Sequence, residues 1–488
     1  MRIRVLSWIG VFLGFFAAAG PSQAQGLPSP IAPVVVPSGA PIPAGAPVDL
    51  TLDEAVALAL RNNRTIRSAY LQRVVDRFDL QVAERAFTPQ GGIAVEVVQR
   101  RRDGETRSET YVSPAASWRT PLGGVVGFVW QRADPLDGDG DGFETAGVSL
   151  TQPLLRGAGL AVNMAPVRIA RLQEEINRLQ LEATVSGAVS AVITRYRSLI
   201  QAQEQVRLAE ASLERTRALL ETNRALIAAG RMAEADIVQT ESGVANQELA
   251  LLQSRQQRVS NQLALLQLLA LASRTNVVAV DPMVAERVEV DLERAMDKAF
   301  ASRIDLLAQR KSLEQMRQSM IVTRNQRLWD VSLVASATRD DGPRFLERLD
   351  ETDTTVRLQL SVPIGDLSRR QAVLAADTGL RTAELRFEEL KQSVESQVLD
   401  AVQGVETGWL QVEAARRARA LSARALEIGQ EKLRFGRASN FEVLSLQADL
   451  RAADLQELLA GIAYLNALTA LDQQIGSTLE TWRISLND

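Results

Sequence analysis

The chain has 488 residues, a formal charge of −4, and neither cysteine nor histidine. That composition excludes a thiol nucleophile, a disulfide, a lipid-modified N-terminal cysteine, a histidine base and a conventional zinc site. The mild acidity gives no basis for nucleic-acid binding, and no cofactor motif or nucleophile–base pair marks the chain as an enzyme.

Met1-Arg2-Ile3-Arg4 is a short positive start. An apolar run from Val5 to Ala19 follows it, then Ser22-Gln23-Ala24, a small-x-small cleavage site. Residues 1–24 therefore read as a secretory signal peptide. No later segment is apolar for long enough to span a bilayer as a helix, so a place in a membrane has to come through β-strands. Residues 25–49 are rich in Pro, Ala, Gly and Ser and read as a disordered or polyproline-like leader with nothing to bury.

Helical periodicity begins at Leu50, with Thr51 and Glu54 spaced as a capping box. It is expected to continue to about Phe87, where Thr88-Pro89 and Gly91-Gly92 end it. Alternation then takes over. Ile93, Val95 and Val97 share one face, and further strands are expected at Thr110–Trp118, Val125–Gln131 and Thr145–Thr151. Thr120–Gly124 reads as the turn between the middle two. Trp118, Trp130, Tyr111 and Phe128 suit a bilayer interface, with an ordinary sheet packed by aromatics as the alternative. Between the last two strands, Asp137, Asp139 and Asp141 have the alternate spacing of a calcium loop, with Gly142 at its sixth position. The twelfth position is Val148 instead of Glu, which favours an acidic surface loop.

At Leu150-Thr151-Gln152-Pro153-Leu154-Leu155-Arg156-Gly157 the pattern switches from strand to helix. Pro153 suits that junction, having no amide for a further ladder bond. The helix starting at Pro166 carries Val185, Val192, Leu199, Val206, Leu213, Leu220 and Ile227 at seven-residue spacing, one seam of a coiled coil. It stops at Gly230, and a second helix returns from about Ala233 to Leu271.

The series then repeats. Leu292-Glu293-Arg294-Ala295 answers Leu52-Asp53-Glu54-Ala55, and strands at Val331–Ala337 and Thr355–Ser361 flank a charged loop. A second switch lies at Pro363. A long helix from about Leu367 to Arg434 puts Val398, Val405, Val412, Leu426 and Leu433 on the seven-residue grid, with Arg419 interrupting it. Gly436-Arg437-Ala438-Ser439 answers Gly230-Arg231-Met232-Ala233. The chain divides into a first repeat at 50–275, a second at 276–475 and a tail at 476–488. Asp236 and Glu442 sit at matched positions after the two glycines; a solvated acid in a first helical turn is favoured there in any case.

This order of elements resembles the TolC-like outer-membrane efflux protein family. The resemblance rests on Leu52–Ala55 through Asn62-Asn63, on Gln152–Gly157 and on the paired helical turns. It implies a mainly α fold with a β-barrel portion, built as a trimeric α/β tunnel-barrel. Three protomers would close one barrel in outer-membrane lipid, and their helices would extend it across the periplasm. The implied activity is a passive exit duct, for small-molecule efflux or type I secretion. A periplasmic adaptor and an inner-membrane transporter would be its partners. The adaptor would dock on Gly230, Arg231, Gly436, Arg437, Ala438 and Ser439, while Asp236 and Glu442 would line the tunnel mouth, with Ser445 where a further acid can stand. One departure is plain: family members usually supply two strands per half, and this first half offers four. Either the barrel is wider or the additional hairpin folds outside its wall. A periplasmic coiled-coil scaffold or adaptor protein without a pore is the other functional reading, and it leaves the matched hairpins unexplained.

Overall fold

The computed structural model describes residues 47–102, 105–136, 142–344, 347–435 and 437–486. The expected signal peptide and most of the leader lie outside the described residues. Its last residues do not stay idle: β1 (Pro47–Leu50) pairs in parallel with β6 (Asn276–Ala279) at the boundary between the two halves. Leu50 and Val277 are buried there, and the Tyr196 hydroxyl donates to the Leu50 carbonyl at 2.7 Å. The same hydroxyl lies 2.6 Å from an Asp281 carboxylate oxygen. Burial, then that hydrogen bond, push the Tyr196 phenol well above its ordinary range.

The first helix is not continuous. It breaks into α1 (Leu52–Asn62) and α2 (Arg64–Glu84), followed by a short 3-10 turn at Arg85–Phe87. Asn63 causes the break. Its backbone is extended at ψ 126°, its Oδ1 accepts from the amides of Thr65 and Ile66, and its Nδ2 donates to the Leu268 carbonyl at 2.9 Å. Asn63 thus caps one helix and anchors it to another. Asn63→Ala should lower stability by about 0.5–2 kcal/mol, the usual cost of a lost N-cap, read as a shift in denaturant midpoint. At the other end of α1 the Thr51–Glu54 capping box forms as expected.

After the β-region, α3 (Ala165–Ala228) runs for 64 residues and α4 (Ile237–Leu268) returns beside it. In the second half, α5 (Leu292–Ser302) and α6 (Ile304–Gln326) are again separated by one extended residue, Arg303. Its guanidinium bonds both Asp305 oxygens at 3.0 and 2.7 Å. Burial opposes ionisation of Asp305, yet the hydrogen bonds and charge of Arg303 outweigh it and hold the carboxyl below its usual range. This contribution to stability is complete above the ordinary carboxylate pKa and is lost as pH falls through the depressed one. The half closes with α7 (Ser368–Arg434), 67 residues, and α8 (Asn440–Gln474). At 1.5 Å per residue the two long helices extend roughly 96 and 100 Å.

The seam valines and leucines predicted on α7 are all buried, as are Val185, Val192, Leu199, Val206 and Leu213 on α3. Towards the end of α3 the buried row moves to Thr216, Leu219 and Asn223, leaving Leu220 and Ile227 half-buried. Arg419, which breaks the α7 grid, ion-pairs across to buried Asp454 on α8 at 2.9 Å, with Arg215 of α3 on the carboxylate's other side at 3.8 Å. The interruption thus ties α7 to α8, and through Arg215 the same carboxylate ties the two halves. Another tie between the halves is Arg197 on α3, which donates to the Leu465 carbonyl and the Thr469 hydroxyl of α8 at 2.6 and 2.7 Å.

Between the helices the strands form one antiparallel sheet: β2 (Gln90–Arg102), β3 (Glu105–Arg119), β4 (Val125–Pro135), β5 (Phe143–Pro153), β7 (Asp330–Arg344) and β8 (Glu347–Ser361), side by side in that order. The second hairpin is longer than its sequence suggests. The stretch read as a charged loop continues the ladder, with Thr338 opposite Asp353 and Asp341 opposite Asp350. Thr145 of β5 steadies it by donating to Asp340 at 2.8 Å.

Candidate functional site

The sheet has two chemically different faces. Antiparallel pairing puts directly opposed residues on the same side, and the register runs across every pairing without a bulge. Along one level Trp118 opposes Val126, Val126 opposes Leu150, Leu150 opposes Ala335 and Ala335 opposes Val356. The same face carries Ile93, Val95, Val112, Phe128, Val148, Leu333 and Leu358. The opposite face carries Glu96, Ser113, Ser117, Gln131, Thr145, Ser149, Ser336, Thr338, Arg357 and Gln359, with Val98, Val125, Val129, Phe143 and Val334 among its apolar members. The partition holds on β2, β3, β5, β7 and β8 at the levels nearest the helices; β4 has only Gln131 as a polar member of the second face, and farther from the helices the first face carries Arg132, Asp134, Glu144, Arg339 and Asp341. The additional hairpin therefore lies within the sheet and has the same two faces as the rest.

Of the four aromatic residues predicted at a bilayer interface, Trp118, Phe128 and Trp130 stand on the apolar face. Tyr111 does not. It lies opposite Glu96 on the polar face, where its hydroxyl donates to Glu109 at 2.5 Å. A one-residue step along a strand reverses the face, and spacing within β3 alone gives no view of which face is apolar. The indoles find partners: Trp118 donates to the Phe87 carbonyl at 2.9 Å and Trp130 to Glu144 at 2.6 Å.

At the first strand-to-helix switch, Pro153 is the last residue of β5, opposite Ser332. The chain leaves the sheet through Gly157 and Gly159, at φ 81° and 98°. Asn325, at the end of α6, takes the Gly157 amide at 2.6 Å and donates to the Leu155 carbonyl at 3.2 Å. Asn163 donates to the carbonyls of Gly157 and Gly159, and Arg156 ion-pairs with Asp330. One half's exit is thereby fastened to the other half's entry. At the second switch Pro363 follows β8, Gly365 turns at φ 76°, and Asp366 accepts the Ser368 amide at 2.9 Å.

At the far end the two helical turns come together. Gly230 adopts φ 67°, and the Arg231 amide reaches back to the Leu226 carbonyl at 2.9 Å, a Schellman closure. The second turn closes alike through the Arg437 amide and the Lys432 carbonyl at 2.8 Å; Gly436 itself lies outside the described residues. The Arg231 guanidinium donates to the Arg434 carbonyl at 3.1 Å, joining the turns directly. Beneath them Met232 and Ala438 pack on one apolar cluster with Leu219, Leu433 and Val443. Sequence reading missed a buried polar layer just inside: Asn223 donates to Thr240 and to Asn440, each at 2.8 Å, linking α3, α4 and α8. Its only trace in the sequence is polar residues where the seam calls for apolar ones.

Ser439 caps α8 by accepting the Glu442 amide at 3.1 Å, and the Glu442 side chain is exposed in the first turn. Asp236 ends the short turn Glu234–Asp236 that precedes α4. Asp137, Asp139 and Asp141, the calcium candidates, lie outside the described residues.

No curated protein matches the chain. Among solved structures it is similar to the Campylobacter jejuni CmeC outer membrane channel, at 15% identity and TM-score 0.67 over 88% of this chain and 86% of that one. It is equally similar to the Vibrio cholerae outer membrane protein VceC, at 15% identity and TM-score 0.67 over 87% and 96%. The open-state Neisseria gonorrhoeae MtrE outer membrane channel matches at 15% and 0.67 over 88% and 89%. These likenesses show a shared fold, the mainly α tunnel-barrel expected above. The sequence pattern of outer membrane efflux proteins matches residues 55–271 and 295–477. With both halves matched, this chain belongs to the outer membrane efflux protein family.

Proposed function

We propose that the chain assembles as a homotrimer into a passive exit duct through the outer membrane. Its helices extend into the periplasm, towards an adaptor and an inner-membrane transporter. The observation that carries this reading is the sheet, whose apolar face suits lipid and whose polar face suits a water-filled lumen. That sheet sits on paired coiled coils roughly 100 Å long, far longer than a compact domain needs. The cargo class is small molecules or a type I secreted polypeptide, driven by the partner pump. Gly230, Arg231, Arg437, Ala438 and Ser439, gathered at one end, form the surface for the adaptor.

Fractionation tests the location: the mature protein should be recovered from outer membranes as a trimer, and a soluble periplasmic monomer would overturn the reading. A second measurement tests the mouth. With Glu442 exposed in the first turn of α8, three copies around an axis make an acidic ring that favours cations. Glu442→Gln should lower the cation-to-anion permeability ratio in single-channel recordings, as expected for loss of a charged ring lining a pore. Ser445→Ala should leave it unchanged. An unaltered ratio in Glu442→Gln would put that carboxylate outside the lumen.

A further inference from the structure

Among the described residues the six-stranded sheet ends in two unpaired edges, along β2 and along β8. Each edge presents backbone N–H and C=O groups with no ladder partner. Each also stands beside exposed apolar side chains, among them Ile93 at 76% and Val356 at 69% of full exposure. In hydrocarbon neither edge can stay open. One copy cannot close on itself, because the smallest spanning barrels take about eight strands. The strands alternate in direction at every step, so β2 and β8 are antiparallel, and β8 of one copy can continue the ladder onto β2 of another.

The β2–β3 hairpin belongs to that wall. Its strands pair from Gln90 opposite Ser117 to Arg102 opposite Glu105, and its apolar row continues that of β4 and β5. Folded away from lipid, Ile93, Val95 and Val97 would face water. The turn leading out of it is also built into the junction: Gly123 packs on the Gly157 carbonyl, and the Gly159 amide donates to the Leu122 carbonyl at 3.1 Å.

We propose that β2 of one copy pairs with β8 of the next, so that three copies, six strands each, close an 18-stranded barrel. This rests on the trimer reading above and adds to it the seam and the width. Barrel diameter grows roughly linearly with strand number, so this wall is about 1.5 times as wide as the 12 strands that two per half would give. Barrels of about 16–18 strands enclose an open aqueous channel. The lipid-embedded part of this duct is therefore a wide vestibule, with Glu96, Arg357 and Gln359 on its lining.

The chain contains no cysteine, which makes pairwise crosslinking unambiguous. Ala94→Cys on the polar face of β2 is combined in turn with Thr355→Cys, Arg357→Cys and Gln359→Cys on β8, then treated in membranes with a short bis-maleimide. Covalent dimers and trimers are expected from at least one pair. Three β8 partners are used, and native mass spectrometry before crosslinking selects the variants that assemble. No crosslink in any assembled variant overturns the seam. Crosslinks from Gly127→Cys or Val129→Cys on β4 to Arg357→Cys, with none from β2, overturn it in favour of a hairpin outside the wall. The copy number of the unmodified protein is measured separately. A count other than three overturns the trimer reading and the 18 strands, while the β2–β8 crosslinks still judge the seam.

Discussion

Arg73→Ala should destabilise the protein by about 3–5 kcal/mol, the range for breaking a buried ion pair from one side. Arg73 is 3% exposed on α2, and its two terminal nitrogens meet the two oxygens of Glu174 on α3 at 2.6 and 2.5 Å. This bidentate geometry is the strongest an arginine makes with a carboxylate. Truncating the arginine strands Glu174, only 18% exposed, without its counter-charge and leaves a hole between two helices. The double replacement Arg73→Met, Glu174→Met removes both charges and should recover most of the loss, since apolar pairs often replace buried ion pairs at little cost. Denaturant midpoints of the detergent-extracted protein measure both. A loss below about 1 kcal/mol for Arg73→Ala would mean the pair is screened as at a surface.

Gly123→Ala should be nearly as damaging, through the backbone. Gly123 has φ 94°, and a β-carbon there would stand 2.2 Å from the Gly157 carbonyl oxygen and 2.8 Å from the Asn163 amide nitrogen. The left-handed backbone alone costs of order 1–3 kcal/mol for a residue with a side chain. The clash adds to that, because its partner is backbone and cannot swing aside. The turn holds the β3–β4 hairpin against the strand-to-helix exit, so the expected outcome is a marked fall in assembled, membrane-inserted protein. Gly92→Ala is the control. A β-carbon at Gly92 meets nothing within 4 Å, so it should assemble normally. Equal yields from the two variants would show that the turn is free to rearrange.

Local patterns in this chain were sufficient wherever the physics is local. The Thr51–Glu54 box, the proline at the end of β5, the buried seven-residue rows on α3 and α7 and the positive φ at Gly230 all follow from neighbours within a turn or two. A helix or strand period needs only its own residues to be read. Duplication was equally visible, because the order of elements repeats even where individual motifs are short.

Other features depend on partners far away in sequence, and only the tertiary structure decided them. Asn63 looks like one more polar residue in a helical run until Leu268 supplies the carbonyl that makes a break worthwhile. Arg73 reads as a solvated helix charge, and Arg419 as a flaw in a seam, until Glu174 and Asp454 are brought beside them. The face occupied by Tyr111 was set by the strand paired with it, since a period of two says that faces alternate but not which one meets lipid. Membership of the first hairpin in the sheet was decided the same way, by register across six strands, because hydrogen-bonded neighbours and continuous apolar rows are properties of the sheet and of no single strand.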